Sequence, residues 1–161
     1  MHHARYLGIA AILLAISVSV SCTHPPVEPS EPMVTGLSSP LSTFDQRIQS
    51  SVHDLAVAAN EKFDLPVRIE NPGIETWTSV GSAPVNVSYK WFKDKKILPI
   101  EGDRTPLPKP IDPKASADMI LHIVAPNQAG KYELRVTLVQ EGVAWFMTKS
   151  NNYLALSVSV R

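Results

Sequence analysis

The chain has 161 residues with 15 basic and 15 acidic side chains, so its formal net charge is zero and no electrostatic partner is implied. A basic stripe for nucleic acid is absent: Lys93, Lys95 and Lys96 are interrupted by Asp94 and read as a solvated hairpin end. The single cysteine, Cys22, excludes an internal disulfide, so any folded core must hold by packing.

At the N-terminus, His2, His3 and Arg5 precede an apolar run from Leu7 to Val20 that ends in Ser21-Cys22. The run is short and serine-laced for a bilayer span, and small residues precede the cysteine. This arrangement resembles a bacterial lipoprotein signal, with Ser19 where such signals usually carry leucine. The resemblance implies a leader over residues 1–21, a lipidated Cys22 as first mature residue, and attachment to the membrane through it. Thr23 stands where an aspartate is associated with inner-membrane retention in enteric bacteria, which implies the outer membrane, facing the periplasm. Residues 22–43 are rich in Pro and Ser without periodic apolar positions, the composition of a flexible tether. Proline-rich chain extends by about 3 Å per residue, so this segment sets reach.

Further along, period-two alternation takes over. Phe63, Leu65, Val67 and Ile69 alternate with Lys62, Asp64, Pro66, Arg68 and Glu70, the pattern of a strand with one apolar and one wet face. Val85, Val87, Tyr89 and Trp91 repeat it against Asn86, Ser88 and Lys90, and Met119, Leu121 and Ile123 give a third strand. Tyr132, Leu134, Val136 and Leu138 make a fourth, and Leu154, Leu156, Val158 and Val160 a fifth. Weaker candidates are Gln46 to Val57, Lys96 to Ile100 and Val143 to Met147. Between the strands lie breakers such as Asn71-Pro72-Gly73, Glu101-Gly102-Asp103 and Pro106 to Pro113. The pattern predicts an all-β fold, an immunoglobulin-like antiparallel β-sandwich of seven or eight strands over residues 44–161. Within Ser50 to Lys62, Leu55 to Ala59 reads either as a helical turn or as an edge strand pairing with the strand that follows it.

Gly130-Lys131-Tyr132-Glu133-Leu134 resembles the G-x-Y-x-C stretch of immunoglobulin domains, with Leu134 in place of the cysteine. That resemblance implies a tyrosine corner, in which the Tyr132 hydroxyl bonds to upstream backbone. A wider set comprises Asn71-Pro72-Gly73 with Trp77, Tyr89-Lys90-Trp91, Arg104 to Pro108, Ala125-Pro126 with Gly130, and Gln140 to Phe146. It resembles the bacterial immunoglobulin-like accessory domain found beside glycosyltransferases and other envelope-polysaccharide enzymes. More distantly, the chain resembles the four-tryptophan domain of autophagy receptors, although it has three tryptophans. Both resemblances imply a binding or spacer module with no catalytic motif.

The residues carry no catalytic constellation: no G-x-S-x-G elbow, H-E-x-x-H helix or phosphate-cradling glycine loop. His24, His53 and His122 have no His or Cys partner at ligand spacing, so neither a metal site nor a cofactor is expected. Asn86-Val87-Ser88 matches a glycosylation acceptor, a triplet that also arises by chance. Two functions stay open. One is a lipid-anchored envelope module that recognises a protein or polysaccharide; the other is a structural or assembly subunit of an export or secretion complex that uses edge-strand pairing. For the first, alternation that turns Trp91 and Tyr132 inward turns Phe92 outward. If Val143, Trp145 and Met147 face the core, Phe146 is also outward, and Tyr153 opposes the inward parity of its strand. Phe92, Phe146 and Tyr153 are therefore a candidate aromatic binding patch, unless a loop covers them or they lie apart. Trp77 either caps the core or lies exposed.

Overall fold

The computed structural model describes residues 40–161, so the expected leader, Cys22 and most of the tether lie outside the described residues. Ten strands form two sheets. β1 (Arg47–Gln49), β3 (Lys62–Glu70) and β7 (Ser116–Val124) make a three-stranded sheet in the order β1-β3-β7. The larger sheet runs in the order β2 (Asp54–Val57), β10 (Leu154–Val160), β8 (Gly130–Gln140), β4 (Val85–Lys93), β5 (Lys96–Glu101). The short strands β6 (Thr105–Pro106) and β9 (Ala144–Trp145) pair with β4 and β8, and a helix of five residues, α1 (Phe146–Ser150), follows β9 directly. This is an immunoglobulin-like β-sandwich, with the five strongest alternations forming β3, β4, β7, β8 and β10.

Two expected elements differ. Gln46 to Val57 is two strands in two sheets: β1 pairs antiparallel with β3, and β2 pairs parallel with β10. The chain changes sheets at residues 50–53, so the neighbour of β3 is β1 and β2 is no partner of the strand that follows it. Every other pairing is antiparallel. Val143 to Met147 stays extended for two residues and then turns helical. The strand count rises to ten through this division and the two-residue pieces.

Alternation places Leu65, Val67, Ile69, Val87, Trp91, Leu134, Leu138, Leu156 and Val158 in one core between the sheets. Trp91 is fully buried, stacks edge-on against Tyr89 and Tyr132, and donates its indole N–H to the Val124 carbonyl at 3.1 Å. Val124 N–H in turn donates to the Tyr89 hydroxyl at 3.1 Å, so β4 and β7 are joined across the sandwich at both backbone atoms of one residue. Burial pushes the Tyr89 phenol up, and its bond from the Val124 amide only partly opposes this. The Tyr132 hydroxyl donates to the Gln128 carbonyl at 2.9 Å, the expected corner. Trp77 caps the core at 1% exposure, edge-on against Phe146, and exchanges two backbone hydrogen bonds with Ile111. Asn71 explains its turn: its side-chain amide donates to the Glu75 and Ile111 carbonyls and its Oδ1 accepts from Gly73 N–H.

Packing begins ahead of the expected boundary at residue 44. Leu41 is buried, and its N–H donates to Gln140 Oε1 at 3.0 Å. The Glu75 carboxylate then accepts from Ser42 N–H, Ser42 Oγ–H and Thr43 N–H. At the next step Gln46, fully buried, accepts from Leu138 N–H and donates to the Thr137 hydroxyl and the Asn152 carbonyl. Its amide occupies the stretch of β8 between the last residue paired with β9 and the first paired with β10.

Trp91→Ala should cost about 3–5 kcal/mol, a large share of a stability of roughly 5–15 kcal/mol, and be read as a collapse of the melting temperature or loss of soluble protein. The Glu75 restraint should depend on pH. Desolvation alone raises this carboxyl, but the bonds from Ser42 and Thr43 outweigh it and hold it below the usual carboxylate range. Its contribution is therefore present above that range and lost as pH falls through the folded value. The protection of the Ser42 and Thr43 amides against exchange, taken relative to the intrinsic exchange rate at each pH, should fall on acidification in the wild type and already be low at neutral pH in Glu75→Ala.

Candidate functional site

The outer face of the larger sheet is where alternation sends Asn86, Ser88, Lys90 and Phe92 of β4. The expected wet surface is not there: every residue from Val85 to Phe92 is buried. Part of the cover is β5 and β6 along the edge of β4, where Gly102 sits against the Tyr89 backbone. A Cβ on Gly102 would meet the Tyr89 carbonyl oxygen at 2.5 Å, so only glycine lets the chain approach this closely. Ser88 Oγ–H donates to the Gly102 carbonyl, and Asn86 donates to Glu141, so the glycosylation triplet is folded into the domain.

Charged side chains supply the rest of the cover by stacking on aromatic rings. The Lys90 ammonium lies 4.2 Å from the Trp145 ring centroid and the Arg104 guanidinium 4.7 Å from the same centroid. Lys90 also pairs with Glu101, and Arg104 pairs with Glu141 at 2.9 Å and Glu101 at 3.4 Å. The hydrogen bond from Lys90 holds the Glu101 carboxyl below its usual range; burial opposes it, and the charges of Lys90 and Arg104 add to the lowering. Across the β4–β8 ladder from Lys90 stands Arg135. Its guanidinium is 3.9 Å from the Phe92 centroid and 4.6 Å from the Tyr153 centroid, and it pairs with Glu133. The result is a stripe of three rings, three cations and three carboxylates, with formal charges that cancel.

The structure brings two of the three expected patch residues together, Phe92 and Tyr153, through the guanidinium between them. Phe92 is buried under it and Tyr153 stays half-exposed. Phe146 belongs elsewhere. It is fully buried, edge-on to Phe44 at 5.2 Å and to Trp77 at 5.5 Å. The correction has a local cause: the chain leaves extended geometry after Trp145, whose φ of −83° and ψ of 128° cap α1, so strand parity no longer applies. Trp145, expected to face the core, is the half-exposed ring of the stripe. Arg135, Lys90 and Arg104 were not singled out by alternation, which marks a charged residue only as outward. The usable signal was Phe92 two residues after Lys90 and so on the same face of β4; Arg135, between Leu134 and Val136, carries none in its own strand.

A second concavity lies on the three-stranded sheet, a groove of about 890 Å³ lined by Ile48, Ser51, His53, Pro66, Arg68 and Ile120 among others. His53 lines it, and His122 lies on the outer face of β7, paired with Asp64. Among the described residues no group of three or more His, Cys, Asp or Glu side chains is placed to hold a metal ion. Both surfaces offer stacking, hydrogen bonding and apolar contact, the chemistry of recognition.

No protein-family model matches the chain, and no curated protein matches it. Among solved structures, it is similar to the CARDB domain of a Pyrococcus furiosus protein. The crystal structure of that domain in complex with di-metal ions matches with a TM-score of 0.42 and 17% identity, over 72% of this chain and 92% of that one. Its solution NMR structure matches with a TM-score of 0.43 and 18% identity, over 71% and 91%. A family 123 glycoside hydrolase from Clostridium perfringens, described for glycolipid glycan hydrolysis, matches with a TM-score of 0.37 and 10% identity, over 72% of this chain and 26% of that one. The fold assignment rests on the strand order and register above.

A double-mutant cycle between Arg135→Met and Tyr153→Leu should return a coupling of about 0.5–1 kcal/mol, the range for a partly exposed cation over a ring. Tyr153→Ser alone should leave the melting curve close to wild type, whereas Phe146→Ser should unfold the domain.

Proposed function

We propose that the chain is a non-catalytic, lipid-anchored module of the bacterial cell envelope that recognises a protein or polysaccharide component through the outer face of its larger sheet. The observation that carries the recognition part is the stripe itself. Trp145 and Tyr153 stay half-exposed while their inner contacts are held by cations, so the rings are fixed in place before any ligand arrives. Fixed aromatic rings bordered by carboxylates and guanidinium groups suit sugar stacking with hydrogen bonds at the rim, and equally a protein anchor. The anchor part is supported by the apolar run ending at Cys22. Two or three acyl chains hold stably where one binds only reversibly, at about 0.8 kcal/mol per buried CH₂.

The alternative, an assembly subunit that uses edge-strand pairing, is favoured by one observation, the unpaired outer edge of β7 among the described residues. Recognition through the stripe and pairing through that edge use different sheets and are tested separately.

Metabolic labelling with a tagged fatty acid should mark the wild type and leave Cys22→Ser unlabelled; equal labelling would overturn the anchor. For recognition, Trp145→Ser with Tyr153→Ser should abolish retention on an isolated cell-envelope fraction while the domain still melts cooperatively. Undiminished retention would return the domain to a spacer role.

A further inference from the structure

The two sheets expose several strand edges, and most are blunted. The part of β3 beyond β1 contains Pro66, which has no N–H to offer, and its carbonyl is taken by Ser50 Oγ–H at 2.8 Å. β5 carries Pro99 and begins at Lys96, and β1 and β2 span only three and four residues. β7 is different. It is nine residues long, SADMILHIV, with neither proline nor lysine, and β3 covers only one side of it.

The backbone direction along that edge follows from the ladder. Ala125 N–H donates to the Glu61 carbonyl, which makes Lys62 and Val124 a non-hydrogen-bonded pair; by alternation, Asp64/His122, Pro66/Ile120 and Arg68/Asp118 are the same. The N–H and C=O groups of Asp118, Ile120 and His122 therefore point away from β3. Val124 points the same way, and its two groups are met by Tyr89 and Trp91, which ends the available edge there. The side chains of Asp118, Ile120 and His122 are exposed, with Ile120 53% accessible in the middle.

From this register we infer that β7 pairs antiparallel with β7 of a second copy of the chain, about a two-fold axis at Ile120. The sequence is self-complementary about that point. Ile120 meets Ile120 and exchanges both backbone bonds with it, and Asp118 meets His122 of the second copy in both directions. Within one chain Asp118 already pairs with Arg68 at 2.9 Å, and His122 Nδ1 lies 2.6 Å from Asp64. Across the junction the row reads Arg68, Asp118, then His122 and Asp64 of the second copy, so charges alternate over four strands when the histidines are protonated. Between the two such rows runs an apolar row, Pro66 and Ile120 meeting Ile120 and Pro66. A shift of two residues in either direction breaks the charge match and places Ile120 against a charged side chain, so the register is specified. The dimer does not rest on the envelope reading: it needs neither the anchor nor the stripe.

The test uses the full chain carrying Cys22→Ser in mild detergent, which removes the native thiol. Adding Ile120→Cys should give a covalent homodimer with a short bismaleimide, while Ala155→Cys on the opposite sheet should not. The contact is smaller than a standard interface, so it should be examined at about 100 µM. Ile120→Lys sets like charges opposite each other at an exposed position, and should weaken self-association in sedimentation by roughly tenfold or more with the melting curve unchanged. Absence of cross-linking at position 120, equal cross-linking at 120 and 155, or undiminished association of Ile120→Lys overturns the proposal. Exclusive linkage of position 120 to a different protein in cells also overturns it, by assigning the edge to a foreign strand.

Discussion

Two hydrogen bonds at Val124 set the terms for the sandwich. A domain with no disulfide has to keep its sheets in register through side chains, and here Trp91 and Tyr89, two residues apart on β4, reach across and take both backbone groups of the last residue of β7. The contact needs an indole and a phenol on the same face, which period-two geometry supplies at positions 89 and 91. It also needs Val124 to be a non-hydrogen-bonded position of its own ladder, which the β3–β7 register supplies. Sheet alignment, core composition and the end of the open edge all follow from that pair. Tyr132, edge-on to Trp91 and tied back to Gln128, extends the same cluster into β8.

On the far side of the larger sheet, a different problem is solved. β4 is covered on both faces, and its outward positions include a lysine. Burying a lone ammonium group is costly, so the charge must be matched where it sits. Trp145 provides the flat face of a ring, Glu101 the counter-charge, and Arg104 lies over the same ring with its own carboxylates. Arg135 repeats the solution between Phe92 and Tyr153. Charge cancels locally, so the face is stiff without a strong field, which favours recognition by shape and stacking over long-range steering.

The alternation in β3, β4, β7, β8 and β10 made the fold and much of its core legible, because side-chain period and burial coincide wherever a strand has one covered face. Trp91, Tyr132 and Leu134 lie where parity puts them. What stayed illegible was covering from outside the strand. Nothing local in Asn86, Ser88 and Lys90 announces that β6 and Trp145 close over them, and nothing local in Gln46 to Val57 says that a switch between sheets divides it. Phe146 shows the sharpest limit. A one-residue change from extended to helical backbone reverses which ring is inside, so Trp145 and Phe146 exchanged roles. The candidate stripe was half visible, two of its three rings, Phe92 and Tyr153, suggested by parity and its cations hidden by being, in sequence, ordinary outward-facing residues.

The parallel pairing of β2 with β10 bears on mechanics. Asp54 to Val57 lie alongside Ser157 to Val160, running in the same direction, with Arg161 N–H adding a bond to the Val57 carbonyl. The chain enters β2 at one end of this ladder and leaves β10 at the other. A pull that draws those two ends apart slides one strand along its neighbour, loading all of the slanted backbone bonds together. In an antiparallel pair opened from its free end, the same bonds would give way one after another. The β2–β10 pair is thus arranged in shear with respect to its own two ends, while β1, which precedes β2 and pairs with β3, meets a pull from the N-terminal side first.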